Sequence, residues 1–201
     1  MSNLSDFLEV AEELDTEPLD PLDTVEPPEE ECPEMADLNL VEVTAEKTSG
    51  RQRRISARIQ VPFSAEQLWQ ILTDYEHLAD FIPNLTSSRT IEHPSGGIRI
   101  EQVGAQSFLR LKFCARVVLD MVEHFPHQID FQMVEGDFKQ FFGHWHLHPL
   151  TGQQATELSY TVNVLPPLTM PIALIERRLK HNLAVNLVAI QKRAQELFGT
   201  L

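Results

Sequence analysis

The pattern of apolar and polar positions divides the chain into a series of strands closed by one long helix. In "RRISARIQV", Ile55, Ala57, Ile59 and Val61 alternate with Arg54, Ser56, Arg58 and Gln60, the period of two that marks a strand with one buried face. After Pro62 the spacing becomes helical: Leu68, Ile71, Leu72 and Tyr75 form a stripe behind Ser64 as cap, with Gln67 three residues on. A second short helix around residues 77–81 ends at Pro83. Six further strands follow at residues 85–92, 98–106, 108–123, 128–134, 138–148 and 155–164, separated by the turns "HPSGG", "FPHQ", "VEGDF" and "PLTGQQ". Every connection is short and no helix intervenes, so the strands form an antiparallel meander without parallel crossovers.

One face of this sheet reads as inward. Leu109, Leu111, Phe113, Ala115, Val117, Leu119 and Met121 share a side, opposite Arg110, Lys112, Arg116 and Asp120. Ile129, Phe131 and Met133 continue it on the next strand, Phe141, Trp145 and Leu147 on the following one, and Leu158, Tyr160, Val162 and Val164 on the last. Gly143 lies among them, where a bend or a close approach is expected. From Pro171 to Phe198 no proline interrupts the chain, Thr169 is placed to cap, and about eight helical turns fit. Ile172, Ile175, Leu179, Leu183, Asn186, Leu187, Ile190, Ala194 and Leu197 make one broad stripe opposite Arg177, Lys180, His181, Gln191, Lys192 and Gln195. This helix lies across the concave face of the sheet. It either closes a solid core or roofs a hollow, and periodicity does not decide between them.

Charge changes the picture at the N-terminus. Residues 1–46 hold sixteen Asp and Glu and no Lys or Arg; the rest holds 30 − 16 = 14 acidic and all 16 basic residues, so the net −14 is a tail property. This stretch is also proline-rich and is expected to form an acidic disordered tail, leaving residues 51–198 as the folded domain. Within it, "NLSDFLEVAEEL" spaces Leu4, Phe7, Leu8, Ala11 and Leu14 as a short amphipathic helix suited to a protein partner. No apolar run approaches the roughly twenty residues of a membrane span, and the start lacks the features of a signal peptide. A cytoplasmic protein is expected. Cys32 and Cys114 supply neither a disulfide framework nor metal-ligand spacing.

The order of elements resembles the helix-grip fold of the START-like (SRPBCC) superfamily, an α+β fold. In it an antiparallel sheet of about seven strands wraps on a long C-terminal helix, with two short helices after the first strand. The segment "VPFSAEQLWQILTDYEHLADFIPNLTSSRTIE" is similar to the entry of its polyketide cyclase/dehydrase and coenzyme Q-binding branch, through Val61, Trp69, Leu72, Asp74, Tyr75, Phe81 and Pro83. The hairpin "FGHWHLHPLTG" resembles that branch's G-x-W-x-L-x-P motif through Gly143, Trp145, Leu147 and Pro149. The resemblance covers about Arg51 to Phe198 and specifies fold better than chemistry.

The resemblance implies an apolar cavity between sheet and helix that holds an isoprenoid quinone or lipid and carries or presents it. Its wall would then include Leu111, Phe113, Met121, Phe131, Met133, Phe141, Trp145 and Tyr160 on the sheet. Leu179, Leu183, Asn186 and Leu187 would face it from the helix, with Phe81 and Ile82 as a lid in "ADFIPNL". Asn186 and Tyr160 either orient a ligand by hydrogen bonds or are satisfied within the protein. Two alternatives stay open: a polyketide cyclase/dehydratase-like enzyme, and a ribosome-type interaction module.

No catalytic constellation stands out. There is no triad, no phosphate loop and no paired carboxylates, which favours binding over catalysis, and no cofactor is implied. Asp74 and His77 fit a cap or salt bridge, and Glu101 faces either way. His144, His146 and His148 alternate in "HWHLH" about 7 Å apart, but opposite Trp145 and Leu147. They therefore point outward, and a solvated face is expected rather than a metal site. Arg54, Arg58, Arg110, Lys112 and Arg116 form an outer basic row; the acidic tail is expected to lie against it, or to compete for it with anionic lipid or RNA. The near-neutral balance of the domain gives no reason to expect nucleic acid.

Overall fold

The structure, a computed structural model, describes residues 35–108, 111–152 and 154–199, with the side chains of residues 35–36, 105–108 and 111–113 outside that description. The amphipathic stretch in "NLSDFLEVAEEL", together with Leu109 and Arg110, lies outside the described residues.

Eight strands make one antiparallel sheet: β1 Glu42–Ser49, β2 Gln52–Val61, β3 Leu85–Ile91, β4 Ile98–Phe108, β5 Leu111–His124, β6 Gln128–Gly136, β7 Gln140–Pro149 and β8 Thr156–Leu165. Their order across the sheet is β1-β2-β8-β7-β6-β5-β4-β3. The early strand β2 thus pairs with the last, Arg53 opposite Val164 through Val61 opposite Thr156. The helices are α1 Met35–Leu38, α2 Ala65–Leu72 and α3 Ile172–Phe198, with a 3-10 turn at Leu78–Asp80. None is long and apolar enough to cross a membrane.

The sheet has eight strands where about seven were expected, β1 being the addition. Residues 42–46, counted with the tail because of their charge, belong to β1. Val41, Val43 and Ala45 pack against the core while Glu42, Thr44 and Glu46 stay exposed, so the alternation is real but only half-buried. Glu42 pairs with Arg58 at 2.6 Å on the neighbouring strand. β1 also covers what would otherwise be the open edge of β2.

Elsewhere local chemistry places the elements where the pattern puts them. Ser64 Oγ accepts from the Gln67 backbone N–H, and the Gln67 side chain accepts from the Ser64 N–H, a reciprocal cap that starts α2. Thr169, by contrast, does not cap α3. The chain turns at Pro167–Met170, Pro171 takes the cap position, and the Arg51 guanidinium donates to the Pro167 and Met170 carbonyls at 2.9 and 2.6 Å. Arg53 adds an ion pair to Glu176 at 2.9 Å, tying the first turns of α3 to β2.

α3 is unevenly buried along its length. From Leu183 to Ile190 every residue except Asn186 is buried, because α2, β1, β2 and α1 surround this part. Leu187, Ile190 and Ala194 are fully enclosed with Leu68, Ile55 and Leu158 in a solid core. Leu197, assigned to the buried stripe, is half exposed near the helix end. The N-terminal half faces something different.

Candidate functional site

Between the N-terminal half of α3 and the inner face of β4–β8 lies a cavity of about 210 Å³. Its floor is aromatic. Trp145 on β7 stacks flat on Tyr160 of β8, ring centres 3.7 Å apart, and the Phe131 ring lies 5.8 Å from Tyr160 and 5.6 Å from Phe141. Phe138 stacks on Phe141 at 5.5 Å and extends the patch toward the β6–β7 turn. Register explains the clustering: Trp145 opposes Ile129 and Tyr160, and Phe131 opposes Gly143, so these inward positions line up across three strands.

Gly143 is what lets the Phe131 ring lie there. A Cβ at this position would run into the Thr161 carbonyl and come within 2.8 Å of the Phe131 ring, so only glycine fits the close approach. Leu119 and Met121 of β5 supply the aliphatic side of the wall, while Ile82, Pro83 and Asn84 form its rim before β3. Asn84 takes a left-handed conformation, φ 65°, which asparagine tolerates better than most residues.

From the helix the wall receives Ile175, Arg178, Leu179, Asn182, Leu183 and Asn186. Arg178, Asn182 and Asn186 are four residues apart and therefore stand in one row along the helix. Arg178 is the one charged side chain among the described wall residues, and no Asp, Glu or His is among them. Burial pushes the Tyr160 phenol well above its usual range, which keeps it a hydrogen-bond donor. Tyr75 is pushed up likewise by burial and then by its bond to Glu123, to which its hydroxyl donates at 2.7 Å. Gln102 donates to Ser88 Oγ at 3.2 Å. Among the described residues the Asn186 amide and the Tyr160 hydroxyl have no hydrogen-bond partner.

Of the residues singled out from sequence, Ile82, Met121, Phe131, Phe141, Trp145, Tyr160, Leu179, Leu183 and Asn186 meet at this cavity. Three stand elsewhere. Phe81 packs under Arg193, whose guanidinium carbon is 5.7 Å from the ring centre, because the turn at Leu78–Asp80 sends Phe81 and Ile82 to different sides. Leu187 is rotated about 100° from Asn186 and fills the solid core. Met133 is half-buried beside a bulge in the β5–β6 pairing, where the register skips Val134 and bends the strand. The side chains of Leu111 and Phe113 lie outside the described residues.

Arg178, Asn182, Tyr75 and Phe138 were missed by the sequence reading. The row of polar residues at 178, 182 and 186 was the available signal, hidden because Arg178 lies beside Arg177, which does face outward.

The outer features are largely self-contained. Glu101 faces outward between Arg89 and Arg116, both at 2.5 Å, and these two arginines hold its carboxyl below the usual range. Arg116 also meets Glu135, Arg58 meets Glu42, and Arg54 donates to Asn163 at 3.2 Å, so the described part of the basic row is paired. His77 and Asp74 form an exposed bridge at 2.7 Å, and that bond raises the imidazole pKa. The His146 and His148 rings stack 6.2 Å apart; burial, then the neighbouring His144 and His148, lowers the His146 pKa. Among the described residues no group of His, Cys, Asp and Glu is arranged to hold a metal ion.

Residues 61–188 match the family model described as polyketide cyclase / dehydrase and lipid transport, well over half of the chain. The chain belongs to this family. Membership fits ligand binding or lipid transport. The family member's curated relatives include the ribosome association toxin RatA of Escherichia coli K12, 29% identical over 147 residues, 73% of this chain and 89% of that one. Among solved structures, a START superfamily protein from Mycobacterium smegmatis matches with a TM-score of 0.61 at 18% identity, covering 72% of this chain and 98% of the other. A STAR-related lipid transfer protein from Xanthomonas axonopodis matches at 0.63 and 11% identity, covering 78% and 94%. At such identities these two likenesses speak for the helix-grip fold alone.

Proposed function

We propose that this protein binds a hydrophobic small molecule, an isoprenoid quinone or another lipid, between its sheet and α3, and carries or presents it. The observation that carries this reading is the cavity wall, where a hollow persists among large side chains that would close-pack in an ordinary interior. Its wall is mainly aromatic and aliphatic, with a few convergent polar groups, the usual make-up of a small-molecule site. Apolar surface transferred into it is stabilised by about 25 cal/mol per Å². At its present size the hollow takes a ring or a short stretch of chain. A long tail extends past the rim at Ile82–Asn84, which moves as the lid.

In this proposal the acidic N-terminal segment stays outside the ligand-binding domain and serves a protein partner. The protein is cytosolic and meets an anionic membrane only to load and unload. Native mass spectrometry of the freshly purified protein, followed by solvent extraction, tests the reading. A discrete apolar adduct is the expected result. A bare mass that persists after incubation with quinones and lipids would overturn it.

One observation favours a second reading. The similarity to RatA spans 89% of that protein, and its name assigns it to ribosomes. A ribosome-binding module would cosediment with ribosomes whether its cavity is filled or empty. The paired arginines of the outer face offer few free charges to phosphate, so such binding would resist added salt. A cyclase/dehydratase-like enzyme would have to move protons with a phenol, Tyr160 or the Glu123-bonded Tyr75.

A further inference from the structure

Resting on the carrier reading, we infer that the turn ahead of α3 and the first turns of that helix form the surface by which the protein docks on an anionic lipid bilayer. Leu168 is 75% exposed, more than any other exposed large apolar side chain among the described residues, and Leu174 is 37% exposed. Thr169, Pro171 and Ala173 around them are exposed too. Leucines so placed leave water only by meeting something outside the chain. Leu168 is also held in place. It stands at the tip of the turn closed by the Met170 N–H on the Pro167 carbonyl at 3.1 Å, and the Arg51 guanidinium donates to the carbonyls of Pro167 and Met170. The turn is therefore fixed before anything binds, and little ordering cost remains when Leu168 enters a partner.

The charges beside these leucines select the partner. Arg177 follows Leu174 by three residues, so it lies exposed on the same side of the helix. Lys180 continues the row, shared with Glu176 at 3.3 Å, and Glu176 is itself taken up by Arg53. Lys139, exposed in the β6–β7 turn, is brought beside the end of β8 by its N–H bond to the Leu165 carbonyl at 2.9 Å. Leucines at one end of a strip and cations about one helical turn behind them match the layering of a bilayer surface, where apolar side chains sink about 5–10 Å and basic ones stay with the phosphates. The net charge of −14 does not oppose this, because it belongs to residues 1–46 and beyond about 8 Å its repulsion is screened at physiological salt.

The place also fits the cargo. Ile175 and Leu179, on the inward side of the same turns, line the hollow. A bilayer held at Leu168 and Leu174 is thus about one helix diameter, about 10 Å, from the ligand. An apolar molecule passes between α3 and the rim at Ile82–Asn84 without crossing open water.

The test is cosedimentation of the full-length protein with phosphatidylcholine vesicles, with and without about 30% phosphatidylglycerol, at about 0.15 M salt. The anionic vesicles are expected to bind it, and the neutral ones at least about tenfold less. Replacing both leucines, Leu168→Ser with Leu174→Ser, is expected to weaken binding to the anionic vesicles at least about tenfold, and Arg177→Gln about fivefold. Leu197→Ser, at a half-exposed leucine near the other end of α3, is expected to change nothing. Circular dichroism and thermal melting check that the variants fold; if the double variant does not, Arg177→Gln still decides. Equal binding to both kinds of vesicle, or binding untouched by the leucine and arginine substitutions, overturns the inference. A wild type that binds no vesicle overturns it too. In that event a dimer on ultracentrifugation that Leu168→Ser makes monomeric assigns the patch to a second copy of the chain, and cosedimentation with ribosomes that the same change abolishes assigns it to that partner. None of these results touches the carrier reading, which stands or falls by the apolar adduct in native mass spectrometry.

Discussion

Gly143 shows how a single missing side chain shapes the interior. Its backbone runs so close to the Thr161 carbonyl and the Phe131 ring that no Cβ fits. Gly143→Ala is therefore expected to destabilise the domain by about 3 kcal/mol, the upper range for overpacking against backbone that cannot yield. Urea denaturation would show this as a lowered midpoint with an unchanged slope. The close approach was legible in the sequence, because a lone glycine in a run of large inward residues has few other uses. Arg178 was not legible in the same way. Periodicity sorts apolar from polar, and a charged residue at the margin of an apolar stripe reads as solvent-facing until the shape of the opposing sheet is known.

At the scale of elements, α3 is held differently at its two ends. Its second half is wrapped by α2, β1, β2 and α1, whereas its first turns rely on Arg51 and on the Arg53–Glu176 pair. Arg53, and then Lys180 at 3.3 Å, depress the Glu176 pKa below the usual 4.5. A depressed carboxyl adds stability above its unfolded pKa and loses it as pH falls through the folded one. Glu176→Gln is accordingly expected to be less stable than wild type near neutral pH. The gap should close as the pH drops below 4.5 and through the depressed value, as measured by chemical denaturation across that range. The strands β2 to β8 and the span of α3 followed from alternation and turn chemistry alone. β1 did not, because Val43 and Ala45 are small and half-buried, and the acidic residues between them looked like the rest of the tail.

The whole molecule is a sheet with one edge completed by the N-terminal strand, and this sets how far it tolerates shortening. Removing residues 1–34 is expected to leave the melting temperature within about 2 °C of the intact chain, since an acidic, proline-rich stretch has little apolar surface to bury. Removing residues 1–49 takes away β1, uncovers the edge of β2 and should lower melting by about 5–10 °C with association on size-exclusion chromatography. The sequence could set the sheet and helix face to face. It could not say that their contact is solid at one end and hollow at the other, since that depends on how Phe131, Trp145 and Tyr160 stack over Gly143. The same division sorts the only two tryptophans in the chain. Trp69 is buried with α2, edge-on to Phe125 at 5.3 Å, while Trp145 lies flat on Tyr160 at the cavity floor. The protein thus contains its own optical label and its own internal reference: an occupant of the hollow touches one indole and leaves the other alone.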